Sequence, residues 1–328
     1  MVSDFQAIPI IDISAFLKKI DDPMMRNDKE LLEVVRQLDE ACKEAGFFYV
    51  KGHDIPDSLV KEVKDLTQTF FNLPYEEKLK IKMTSESGYR GYQRVGENVT
   101  KGKPDMHEAI DCYSEMEPGK YGALGKPLEG SNLWPDYPSN FKVVMEEYIY
   151  LLKDLARKMM RGIALALGGP SDAFEGELAG DPFWVMRLIG YPVSSDIPEM
   201  ERTDTGCGAH TDYGLLTLVN QDDEINALQV RNSLGEWITA APIPGTFVCN
   251  IGDMLKISTN GLYESTLHKV VNSSPKYRVS VAFFYETNFD AAIEPLDVCK
   301  EKTGGVAKFG KVVYGEHLAS KVLNNFGY

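Results

Sequence analysis

No stretch of the 328-residue chain approaches the roughly eighteen uncharged apolar residues that a membrane-crossing helix needs. The longest apolar neighbourhood, around residues 159–167, is interrupted by Arg157, Lys158 and Arg161. The opening Met1-Val2-Ser3-Asp4-Phe5 lacks the basic region and apolar run of a secretory signal. Positive charge is also short: 35 Lys and Arg against 49 Asp and Glu leave a formal net charge of −14. Such a surface repels phosphate backbones and anionic lipid, which argues against nucleic acid or a membrane as partner. The five cysteines, Cys42, Cys112, Cys207, Cys249 and Cys299, are odd in number, and none forms a Cys-x-x-Cys pair. Free thiols in a reducing, cytoplasmic compartment are the expectation. Cys207-x-x-His210 resembles one half of a zinc site whose other half is missing. No repeat, low-complexity tract or long linker divides the chain, and nothing in it calls for an obligate protein partner.

Helical and extended patterns are both present. Ile8-Pro9-Ile10-Ile11-Asp12-Ile13 reads as an edge strand, because proline cannot donate to a ladder. Apolar residues from Leu31 to Ala45 recur at helical spacing, Gly46 stops them, and Phe47-Phe48-Tyr49-Val50 follows as a buried strand. A helix is expected from about Ser58 to Phe71, ended by Pro74. The longest helical pattern spans 139–167, with Ser139 as N-cap and Gly168-Gly169-Pro170 as its stop. After Phe183 short β-branched and aromatic runs alternate with turn residues, the texture of a sandwich, barrel or jelly roll.

The β-rich half contains Gly208-Ala209-His210-Thr211-Asp212-Tyr213-Gly214. In a strand, residues two apart share a face, so His210 and Asp212 can reach one metal ion. Only five histidines exist, and His268 opens a strand-like run that can return to the same place. Two histidines and a carboxylate leave positions open on an octahedral ion, as iron(II) oxygenases require, although zinc accepts the same ligands. Ten residues after His268 stands Arg278-Val279-Ser280. Its planar guanidinium fork and neighbouring hydroxyl are suited to a carboxylate, which a chelating 2-oxo diacid would bring.

His-x-Asp, a distant His and Arg-x-Ser ten residues later resemble the plant-type iron(II)/2-oxoglutarate-dependent dioxygenases. Ile8-Pro9-Ile10-Ile11-Asp12 and the segment Gly46-Phe47-Phe48-Tyr49-Val50-Lys51-Gly52-His53 resemble two further motifs of that family. The resemblance implies a mixed α/β (α+β) fold, a distorted double-stranded β-helix (jelly roll) core with flanking N-terminal helices. A helix-rich region, 1–175, would pack on an iron- and 2-oxoglutarate-binding jelly-roll region with a C-terminal helix, 176–328, as one continuous unit. It also implies Fe(II) held by His210, Asp212 and His268, and 2-oxoglutarate gripped by Arg278, Ser280 and Tyr191. Dioxygen is consumed, ascorbate supports turnover, and succinate and CO2 accompany the hydroxylated product. Where the family has Asn-Tyr-Tyr-Pro, this chain has Ile189-Gly190-Tyr191-Pro192, which removes the asparagine and implies extra room beside the iron.

The substrate is expected to be a small molecule. Residues 88–102, 105–112, 181–192 and 219–222 resemble the plant homoarginine 6-hydroxylases, which oxidise a guanidino amino acid. Glu108, Asp111 and Glu286 are candidate anions for its cationic group, Arg90 or Arg94 candidate receivers of its carboxylate, and Arg187 a further pocket-facing residue. Neighbouring members of the family take hormones, phenolics or alkaloids. An iron oxidase of the same fold that spares 2-oxoglutarate, a zinc hydrolase and a non-catalytic binding protein are the other classes. An open redox metal is of no use to the last. His53, His107 and His317 read as surface or hydrogen-bonded core residues.

Overall fold

The structure is a computed structural model describing residues 3–22, 25–193 and 205–326. Its centre is an eight-stranded sheet facing a four-stranded one. Strands Ile10–Asp12, Phe47–Lys51, Gly91–Gln93 and Glu108–Tyr113 join Trp184–Tyr191, Leu216–Asn220, Thr246–Ile251 and Arg278–Tyr285 in the large sheet. The small sheet holds Thr205–His210, Leu228–Arg231, Trp237–Thr239 and His268–Val271. Apart from the edge strand Ile10–Asp12, which runs parallel to Phe47–Lys51, the paired strands are antiparallel. Of the four first-half strands in the large sheet, Ile10–Asp12 and Phe47–Lys51 lie where the sequence placed strands, and Gly91–Gln93 and Glu108–Tyr113 extend the sheet beyond that reading.

Strand alternation separates two cores. Phe48, Val50, Met186, Leu188, Val281 and Phe283 point to the helices, into one cluster of buried apolar side chains. Phe47, Tyr49, Ile189 and Tyr191 point the other way, toward Val230 and Val270 of the small sheet. One register step would exchange the two sets, so burial on both faces fixes which residues look into the roll.

Helix Lys29–Glu44 is capped by Asp28, whose carboxylate accepts the backbone N–H groups of Glu30 and Leu31. Helix Asp57–Phe71 and the long helix Phe141–Ala166 lie on the outer face of the large sheet. The long helix begins later than the pattern predicts: Asn140 occupies the N-cap position and makes no side-chain cap bond, so Ser139 is not its cap. Gly168, with φ of 81°, ends it as expected. No helix among the described residues is long and apolar enough to cross a membrane.

Candidate active site

The two histidines meet because of sheet register. Strand Thr205–His210 runs antiparallel to His268–Val271 with His210 directly opposite His268, and their ring centroids are 4.3 Å apart. The strand ends at His210, so Asp212 stands in the following turn and not two places along one strand face, as its spacing predicted. The backbone N–H of Asp253 donates to the Asp212 carbonyl at 2.8 Å and holds that turn against the next helix. Asp212 Oδ1 then lies 3.6 Å from His210 Nε2 and 3.4 Å from His268 Nε2.

Each ligand is oriented by a partner on its far side. His210 Nδ1 meets the Gly208 carbonyl at 2.8 Å, and His268 Nδ1 meets the Thr266 carbonyl at 3.1 Å. A carbonyl only accepts, so both Nδ1 atoms carry the hydrogen and both Nε2 lone pairs are free for a metal. Asp212 Oδ2 accepts from Thr217 Oγ1 and from Asn250 Nδ2, each at 2.6 Å, which leaves Oδ1 toward the imidazoles. Burial alone would raise the Asp212 pKa, but His268, His210 and the Asn250 amide outweigh it and hold the group ionised below its ordinary value. Among the described residues this is the one cluster of three metal-ligand groups, with ligand atoms all within 4.8 Å of one another. Cys207 Sγ sits 3.7 Å from His210 Nδ1, behind the ring, and completes no second set.

A second row of side chains follows from the pairing of strands Trp184–Tyr191 and Arg278–Tyr285. Arg278 is opposite Tyr191, Ser280 opposite Ile189, Ala282 opposite Arg187 and Phe284 opposite Val185, all on the face inside the roll. Arg278 is 1% exposed, lies 4.8 Å over the Tyr191 ring and reaches Ser280 Oγ at 3.4 Å. Its Nε has no hydrogen-bond partner, and no carboxylate among the described residues pairs with it. A buried guanidinium without an anion is costly, so this arrangement suits a carboxylate-bearing ligand.

Beside the metal ligands opens a cavity of about 570 Å³, its mouth included, lined by Asp111, Arg187, His210, Asp212, Tyr213 and Glu286 together with Tyr113, Val185, Phe284, Leu318 and Val322. Arg187 Nε donates to Asp111 Oδ1 at 2.7 Å. Burial works against both charges: at Arg187 the Asp111 partner more than offsets it and raises the guanidinium pKa, whereas at Asp111 burial outweighs the Arg187 attraction and raises the carboxyl, and the 2.7 Å contact keeps the two groups paired. Glu286 is 3% exposed and its Oε2 has no hydrogen-bond partner. Burial, and then the Asp212 charge, push its carboxyl well above the usual range, against the helping Tyr314 hydroxyl.

Three of the other candidates stand outside this cavity. Arg90 is fully buried and donates to the carbonyls of Leu128 and Ser114, each at 2.7 Å, tying two loops together. Arg94 is exposed and pairs with Glu97 at 3.0 Å. Glu108 falls on the opposite face of its strand from Asp111 and is held by Lys78 at 2.6 Å and by the Tyr92 and Tyr277 hydroxyls at 2.7 Å. The space at Gly190 is not beside the metal either: a Cβ there would collide with the Tyr277 hydroxyl and Phe71. Ile189 alone occupies the inward position, packed with Tyr191. His53 and His107 are buried, with His53 Nδ1 accepting from the Ile55 N–H and His107 Nδ1 at the Gly206 carbonyl. Sequence reasoning did not single out Thr217, Asn250, Leu318 or Val322, which carry no motif of their own.

Two imidazoles and a carboxylate on a jelly roll, with an unpaired buried arginine along the same inner face, are the site of a non-haem iron oxygenase. The chain belongs to the 2OG-Fe(II) oxygenase superfamily, whose pattern matches residues 184–287. Residues 8–137 match the N-terminal region described as that of the non-haem dioxygenase in morphine synthesis. A homoarginine-6-hydroxylase of Oryza sativa subsp. japonica is 76% identical over 326 residues, covering 99% of both chains. One from Glycine max is 67% identical over 328 residues, again covering 99% of both. Among solved structures, a full-length Neurospora crassa protein in complex with alpha-KG and thymine superposes with a TM-score of 0.81 at 29% identity, over 99% of this chain and 98% of that one. JOX2 in complex with 2OG, Fe and JA gives 0.76 at 29% identity, over 97% and 85%. The protein is a 2-oxoglutarate- and Fe(II)-dependent dioxygenase, a hydroxylase, with His210, Asp212 and His268 as its iron ligands.

Proposed function

We propose that this enzyme hydroxylates homoarginine at C6 in the cytoplasm. The observation that carries the reading is Glu286, a buried carboxylate facing the iron-side cavity with one oxygen unpartnered. Asp212 is committed to the metal, and Asp111 and Arg187 neutralise each other. Among the described residues of the wall, Glu286 is left as the carboxyl without a countercharge, held toward its protonated form by burial, and a guanidinium restores its ionised form. The Asp111–Arg187 pair offers both signs, which complements a zwitterionic amino-acid head. The homoarginine-6-hydroxylases related to this chain point to the same substrate. Five free cysteines, four of them buried, support the cytoplasmic assignment.

In this reading Arg278 and Ser280 bind the distal carboxylate of 2-oxoglutarate, with Tyr191 packed against the guanidinium. Bound iron supplies the activation of dioxygen and the oxidation of the C–H bond, coupled to decarboxylation of 2-oxoglutarate. The chain's own part is orientation. Glu286 holds the guanidinium so that the adjoining C6 faces the metal, while Phe284, Val185 and Tyr113 keep water out of the cavity.

The test is an aerobic assay with Fe(II), ascorbate and labelled 2-oxoglutarate across cationic amino acids, hormones and phenolics. Homoarginine-dependent succinate and a product heavier by one oxygen are expected. Succinate release driven by a hormone or phenolic but not by homoarginine would overturn the assignment.

A further inference from the structure

The cavity wall includes Leu318 and Val322 from the helix Tyr314–Phe326, one turn apart on a single stripe that Tyr314 begins. Tyr314, Leu318 and Val322 are all buried. The Tyr314 hydroxyl lies beside Glu286 at the inner end of this stripe, and both it and Glu286 Oε2 are buried without a hydrogen-bond partner. The adjacent stripe clasps Tyr213, itself a cavity residue: the His317 ring meets it edge-on at 5.7 Å, and the Lys321 ammonium lies 5.3 Å above it. His317 Nε2 also stands 3.8 Å from Asp253 Oδ2, on the element that holds the Asp212 turn. One stripe thus fastens the helix beside the metal ligands, and the other faces the substrate.

We propose that this helix determines chain-length specificity, with Tyr314 positioning Glu286 at one end and Leu318 and Val322 measuring the methylene chain that leads away from the guanidinium. The inference rests on the reading of Glu286 as the guanidinium partner. Tyr314 to Val322 spans about 12 Å along the helix, and extended homoarginine spans roughly 9 Å from guanidinium carbon to carboxyl carbon. The apolar part of the stripe therefore runs beside the tetramethylene segment. An apolar wall discriminates one methylene by roughly 10- to 200-fold, and the substrate must place C6, not its neighbour, at the iron.

The experiment uses the full chain loaded with Fe(II) and 2-oxoglutarate and three guanidino amino acids: arginine, homoarginine and the homologue one methylene longer. Succinate formation gives kcat/KM, and calorimetry without dioxygen gives the dissociation constants. Leu318→Phe is expected to shift the arginine-to-homoarginine ratio toward arginine by about tenfold, and Leu318→Ala to shift preference toward the longer homologue. Tyr314→Phe is expected to weaken homoarginine binding about fivefold with the KM for 2-oxoglutarate unchanged, a split that loss of packing alone would not give. Val322→Leu, a change of one methylene, carries the same question should Leu318→Phe not fold. Preference ratios within about twofold of wild type in the folded variants overturn the proposal. A wild-type enzyme that binds none of the three overturns the homoarginine assignment itself, which is a different result from turnover with unshifted preference.

Discussion

The carboxylate of Glu286 occupies the space that a side chain at Gly214 would need: a Cβ built there falls inside the carboxylate group. Gly214 lies two residues after the iron ligand Asp212, so the Glu286 carboxyl and the metal turn are matched to each other. Gly214→Ala is expected to expel Glu286 from its place. Its kcat/KM for homoarginine should fall by at least about tenfold, an effect of the order of one lost charged hydrogen bond. Steady-state kinetics at saturating 2-oxoglutarate check this, and unaltered kinetics would show that Glu286 does not depend on the glycine.

Glu286 also makes stability depend on pH. Unfolded, the group ionises near its ordinary value of 4.5, whereas burial and the Asp212 charge keep it protonated to a higher pH in the folded chain. The folded state then loses stability as pH rises above 4.5, and the full cost is present once pH passes the folded-state value. Glu286→Gln removes that cost. It is expected to raise the thermal midpoint of substrate-free protein by about 2–4 °C at about pH 8, with no gain below pH 4.5, while abolishing binding of the guanidino substrate. Equal midpoints across the pH range, followed by calorimetric scanning, would contradict it.

Asn250 and Thr217 both donate to Asp212 Oδ2 at 2.6 Å and so select Oδ1 as the metal-facing oxygen. Asn250→Ala leaves Oδ2 held by the Thr217 hydroxyl alone and is expected to weaken metal binding about 10- to 100-fold. Titration of the metal-free chain with Co(II), read by visible absorption, measures the change. Affinity equal to wild type would remove Asn250 from the iron site.

Arg278 has no carboxylate partner of its own among the described residues. Arg278→Lys replaces a planar fork with a point charge, and the KM for 2-oxoglutarate is expected to rise at least about tenfold while homoarginine binding is retained. Measuring both constants in one preparation separates this from general disruption. An unchanged 2-oxoglutarate KM would place the co-substrate elsewhere.

Candidates legible in the sequence were those whose chemistry depends on residue type and local spacing. His210, Asp212, His268, Arg278 and Ser280 were named from such patterns, and the structure gathers them inside one roll. The charged residues of the pocket were not separable in this way. Glu108 and Asp111 differ only by strand parity, which sends one to Lys78, Tyr92 and Tyr277 and the other to the cavity. Arg90 differs from Arg187 only in what surrounds it, carbonyl oxygens in one case and a cavity carboxylate in the other.

By itself the sequence determined the donor set for iron, the arginine proposed here to bind a carboxylate and the approximate places of the main strands and helices, because those follow from side-chain chemistry and short-range periodicity. Tertiary structure alone decided that His210 faces His268 across a strand pair, that Thr217 and Asn250 turn Asp212 toward them, and that Leu318 and Val322 wall the cavity. Those relations join residues far apart along the chain through sheet register and helix docking, and no local pattern encodes which partner the fold will bring to each face.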